Sequence, residues 1–210
     1  MQRDTQHIFN LCNGTQPQLQ TISFSRHRLR EIIRNVVEHS EADTVFVCAQ
    51  YWPKLEQVEV GIVDNGIGIH AALTQNPAHE GLTEDEALEL ALMPGISGNP
   101  FAGKGHDVWN NSGYGLYMTS RICRNGGNFL ICSGGHGIDL THEHGKQEIK
   151  TDFQGTAIRL FINTKNMKNL TERLAEFREQ GRETARFLKG ANDGIASKAS
   201  QMLRRDFEVE

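Results

Sequence analysis

A basic excess, closely paired cysteines and long hydrophobic runs are all missing from this sequence, and each absence removes a class of function. Twenty-two Lys and Arg stand against 26 Asp and Glu, a net charge of −4, so the chain lacks the electrostatic footprint of a DNA or RNA binder and nucleic acid is not expected as a ligand. Its four cysteines, Cys12, Cys48, Cys123 and Cys132, lie far apart except for one loose pair. They imply neither zinc nor disulfides and fit buried thiols in a reducing compartment. No charged start followed by an apolar run opens the chain, and no stretch approaches a membrane span; a cytoplasmic location and no membrane contact are expected. What is present suffices for a core, since 210 residues at 38% hydrophobic composition bury a substantial apolar interior.

The first informative segment is Arg28-Leu-Arg-Glu31-Ile-Ile-Arg-Asn35-Val-Val-Glu-His39. Leu29, Ile32, Ile33, Val36 and Val37 recur at the spacing of one apolar helix face, with Ser25 as N-cap and Phe24 placed to staple onto Leu29, so a helix is expected over 26–39. Glu31, Asn35 and His39 stand one above another on the other side. Taken alone, such a stripe is what any solvated helix face carries.

The second segment closes a strand. Val58, Val60 and Ile62 alternate with Glu59, Gly61 and Val63 and run into Asp64-Asn-Gly66-Ile-Gly68. Asp-Asn-Gly suits a hairpin turn, but Ile67 to Leu73 shows no strand alternation, which weighs against one. The third segment, Gly113-Tyr-Gly115-Leu116, opens a helix that Gly126-Gly127 stops before the apolar run Phe129–Cys132. Glycines at a helix start let backbone amides face an anion, and the helix dipole favours negative charge there. Thr83-Glu-Asp-Glu86 reads as a capping box opening a short helix that Pro94-Gly95 ends. Residues 96–112 follow as a glycine-rich, lid-like loop. Gly98 to Gly105 nearly spells a P-loop, but glycine stands where the metal-binding Ser or Thr belongs and no strand leads in. His136, His142, Glu143 and His144 crowd one segment whose glycines read better as a polar turn between strands 128–133 and 146–151 than as a metal site.

Together the three segments resemble the nucleotide site of the GHKL ATPases, the superfamily of gyrase, histidine kinases and MutL. The resemblance implies Glu31 as general base, Asn35 as the protein ligand of Mg²⁺, His39 beside them, and Asp64 as acceptor for the adenine amine, with Gly66 and Gly68 close to the base. It also implies phosphates at Gly113, Gly115 and Leu116, a possible phosphate contact from Lys104 in the lid, and a base contact from Thr156 in Gly155-Thr156, ahead of the strand Ala157–Ile162. Guanine would present a carbonyl to Asp64, acceptor against acceptor, so ATP is expected over GTP. Histidine kinases usually carry asparagine where this chain has Glu31, and Lys or Arg where it has Glu38. The closer analogy is the anti-sigma-factor type of serine kinase.

The implied architecture is the Bergerat fold, an α/β two-layer sandwich with a mixed, mainly antiparallel sheet and helices on one face. The ATP-binding domain is placed at 20–163, between an N-terminal segment 1–19 and a helical tail 164–210. Leu170, Leu174, Phe177, Gly181, Ala185 and Leu188 give an amphipathic helix over 167–189, packed on its own domain or serving as a docking or dimerisation surface for a partner protein. The segment ahead of Glu31 is too short for the paired helices of a complete sensor kinase. The expectation is a stand-alone regulatory protein that binds ATP and Mg²⁺ and hydrolyses ATP or transfers its phosphate, with a nucleotide-gated binding module of negligible turnover as the alternative.

Overall fold

A computed structural model describes residues 40–100, 113–167 and 170–192. The expected helix 26–39, with Glu31, Asn35 and His39, lies outside them, as does Lys104 with most of the lid-like loop.

Alternating β-branched residues build β1 (Val45–Trp52) and β2 (Gln57–Asp64). A tight turn joins them, with the Leu55 N–H donating to the Trp52 carbonyl at 3.1 Å. Two longer strands, β3 (Asn128–Thr141) and β4 (Gly145–Asn163), complete a four-stranded sheet in the order β1-β2-β4-β3. Every pairing among the described residues is antiparallel, in line with the mainly antiparallel sheet expected.

The turn expected between residues 133 and 146 is corrected. β3 runs straight through Gly134–Gly137, and the reversal comes only at residues 142–144. The glycines make a bulge instead of a turn: the register slips between Ser133 and His136, Gly134 has φ +61°, and the Gly135 N–H donates to the Glu84 carboxylate at 2.9 Å. His136 thereby pairs with Lys150 and turns toward Glu84 at 3.5 Å, while His142 and His144 sit at the distant hairpin tip.

Helices cover one face. After β2 come α1 (Gly68–Thr74) and α2 (Glu84–Ala91); α3 (Gly115–Cys123) precedes β3 and α4 (Leu170–Ala185) follows β4. The capping box at α2 forms, with the Thr83 N–H donating to Glu86 Oε2 at 2.9 Å. Val60, Ile62, Phe129, Ile131, Ile158, Leu160 and Ile162 point from the sheet into a core shared with Leu88, Met118, Ile122 and Leu174. The opposite face is open among the described residues, and Phe46 on it is 68% exposed. Cys48 is on this open face, so the expected burial holds for Cys123 but not for Cys48; strand alternation put Cys48 one position out of phase with partly buried Val47 and Ala49.

The amphipathic tail helix ends at Ala185, four residues short of expectation, and packs on its own domain. Leu174 is buried, Gly181 lies against Tyr114, Tyr117 and Pro94, and the Tyr117 hydroxyl donates to the Phe177 carbonyl at 3.2 Å.

Candidate functional site

β2 ends on Asp64, which the sheet register places on one rung with Thr156 of β4 and Ser133 of β3. All three side chains face the helix layer and are buried, at 2%, 6% and 6% exposure. A rung of three polar residues interrupts an apolar face. Asp64 Oδ1 accepts the Gly66 N–H at 2.9 Å and the Thr156 N–H at 3.2 Å. Its Oδ2 is also buried and has no partner among the described residues. Burial pushes the Asp64 carboxyl above its ordinary range, opposed by the Gly66 and Thr156 amides and the Thr156 hydroxyl. A buried carboxylate oxygen with no donor is costly, and a ligand N–H is the group that would satisfy it.

The backbone around this rung is packed too closely for side chains. At Gly155, with φ +98°, a Cβ would overlap the Asp64 carbonyl; at Gly66 it would overlap the carbonyl of Ser40. That same Ser40 carbonyl accepts the Ile67 N–H at 2.7 Å. Ser40, the residue directly after His39 in sequence, is thereby held against the second segment. Ser133 completes the arrangement and was not singled out from the sequence. Its hydroxyl donates to the Gly155 carbonyl at 2.9 Å and accepts the Ile69 N–H, at the start of α1, at 2.9 Å. Its signal was a hydroxyl at the third position of the inward alternation Phe129, Ile131, Ser133.

The third segment is built as its glycines require. Gly113, at φ +73°, lies against Gly95 and Ile96, and the Gly95 N–H donates to the Gly113 carbonyl at 3.2 Å. α3 starts at Gly115 with no acidic residue in its first turn and no side-chain capping bond from its N-cap Tyr114. Among the described residues no local carboxylate or cap offsets its N-terminal dipole charge, which suits an anion. Leu116 is partly buried and packs against both the main core and the smaller cluster that holds Leu73 of α1, which joins this turn to the Asp64 side. Asp64, Gly66, Gly68 and Thr156 thus come together around one rung, and Gly113, Gly115 and Leu116 form a second group held to it through α1.

A family model described as histidine kinase-, DNA gyrase B-, and HSP90-like ATPase matches residues 22–166. Among solved structures, the N-terminal domain of a DNA repair protein aligns at 13% identity with a TM-score of 0.33, covering 75% of this chain and 41% of that one. The 43K ATPase domain of gyrase B from Thermus thermophilus, in complex with an aminocoumarin, aligns at 16% identity with a TM-score of 0.36, covering 72% and 39%. The chain thus matches about two fifths of the length of those two. No curated protein matches.

Proposed function

Because the chain belongs to the family of histidine kinase-, DNA gyrase B- and HSP90-like ATPases, we propose that the Asp64 rung and the turn before α3 are the two halves of one ATP site that serves Mg²⁺-dependent hydrolysis or phosphoryl transfer to a partner protein. The observation that carries this reading is the buried Asp64 carboxylate, with one oxygen held by two backbone amides and the other without a donor among the described residues. That geometry fits the exocyclic amine of adenine. Gly66, Gly68 and Thr156 would border the base, and Gly113, Gly115 and Leu116 would face the phosphates.

Glu31 is proposed to take the proton of the attacking water or hydroxyl as its oxygen bonds to the γ-phosphorus and the bond to the β-phosphate oxygen breaks. Asn35 would hold Mg²⁺, which neutralises phosphate charge when bound; His39 and Lys104 are assigned to the site on the sequence pattern alone. A stand-alone signalling role in the cytoplasm fits the chain's composition. The apolar side of α4 is spent on α3, so a partner, or a second copy in a homodimer, would meet the charged side of α4 with Arg173, Glu176 and Glu179.

Calorimetric titration of ATP and GTP, with Mg²⁺, into the wild type and the Asp64→Asn variant tests the site. ATP alone is expected to bind, and the variant to lose it; no binding by wild type would overturn the reading. Glu31→Ala should then abolish turnover while retaining ATP binding. Unchanged turnover would leave a nucleotide-gated binding module in its place.

A further inference from the structure

The chain does not stop at the end of the family region, residue 166. After α4 it turns back and lays residues 188–192 against the outside of the phosphate-side turn. The Asn192 N–H donates to the Gly95 carbonyl at 2.7 Å, and the Tyr114 hydroxyl meets the Asn192 carbonyl at 3.5 Å. Gly95, at φ +77°, has no room for a Cβ because the Asn192 backbone occupies that space. On its other side Gly95 bonds Gly113. One backbone relay therefore runs from Asn192 through Gly95 to Gly113, two residues before the first residue of α3. Next to Asn192 the segment is anchored twice more: Gly190 packs on Ala78 and His79, and Ala191 joins the cluster of Leu73, Ala87, Ala91 and Ile96.

We propose that residues 188–192 are a positioning element of the nucleotide site, which holds the Gly95–Gly113 pair in the geometry that receives phosphate. The proposal rests on the ATP reading above and deepens it. The adenine side is held within the family domain, by Ser133 and Gly155, whereas the phosphate side is held from beyond it. Displacing the segment should therefore weaken ligands that carry phosphates and spare those that carry only the base.

The test uses the full chain and two variants that displace the segment by different means. Asn192→Pro removes the N–H given to Gly95. Gly190→Val drives a side chain into His79 and Ala78, where even a Cβ would stand 2.7 Å from the imidazole. Phe187→Ser, at a residue 89% exposed, is the control. ATP and adenosine are titrated calorimetrically into each, and hydrogen exchange is followed at Gly95 and at the start of α3. Both variants should bind ATP about fivefold or more weakly, the size of an ordinary coupling between sites, with adenosine affinity kept and faster exchange at Gly95. Equal ATP affinity in wild type and both variants would overturn the proposal, as would an equal loss for adenosine, which marks general loosening. Should the wild type bind no ATP, the ATP reading fails separately. Exchange at Gly95 then decides whether the segment holds the turn: unchanged exchange in both variants refutes it.

Discussion

Asp64 ties stability to its protonation state. Its ordinary carboxylate value is 3.8, and burial raises it in the folded protein. A raised carboxyl makes the folded state bind protons more readily than the unfolded one, so its contribution is fully favourable below pH 3.8 and is lost as pH rises through the folded value. At neutral pH the charged group is a burden on the empty protein. The Asp64→Asn variant keeps an oxygen for the Gly66 and Thr156 amides and drops the charge. Its thermal midpoint without ligand should equal or exceed that of the wild type, while the upward shift given by ATP disappears. A marked fall in that midpoint would show that Asp64 serves the fold more than the ligand.

Between elements, the decisive joint is the Ser133 hydroxyl. α1 begins without a local side-chain cap, and its Ile69 N–H is satisfied from across the sheet by β3. The same oxygen bridges to β4 at Gly155. In Ser133→Ala the part-buried Ile69 N–H and the buried Gly155 carbonyl lose this partner, at a cost of about 1–3 kcal/mol, measurable by urea unfolding. Because the joint holds Gly68 and Gly155 beside Asp64, adenosine and ATP should weaken by the same factor. This is the opposite of the split expected on displacing residues 188–192. An effect on ATP alone would place Ser133 with the phosphates.

Among the described residues the helical layer is completed where residues 188–192 meet it, and this junction carries a pH dependence. His79 is buried at 2% exposure beneath Gly190. Burial, reinforced by the nearby Lys189 charge and opposed by the Ser97 backbone, holds its imidazole below the ordinary 6.5. The unfolded chain then binds the proton more readily than the folded one. Stability should be complete above pH 6.5 and decline as pH falls from 6.5 toward the lowered folded value. Unfolding midpoints measured from pH 8 to 5 check this, and His79→Gln should flatten that limb. A wild-type profile already flat over that range would mean that His79 is not held neutral by burial.

The sequence by itself determined the pieces whose physics is local. Strand β2 followed from alternation, the start of α2 from its capping box, and the start of α3 from Gly113 and Gly115; the role proposed for Asp64 rests on its place among three segments in order. The amphipathic spacing of α4 also told which side would be buried, though not that α3 would cover it. Tertiary structure decided whatever depends on partners distant in the chain. Gly134–Gly137 became a bulge inside β3 and not a turn because Glu84 of α2 supplies an acceptor there. Ser133 became part of the site because the register sets it beside Thr156 and Asp64. Residues 188–192 gained a role because Gly95 leaves them room and a carbonyl. Periodicity and capping are carried by neighbouring residues and can be read along the chain; register and burial arise only when segments a hundred residues apart meet.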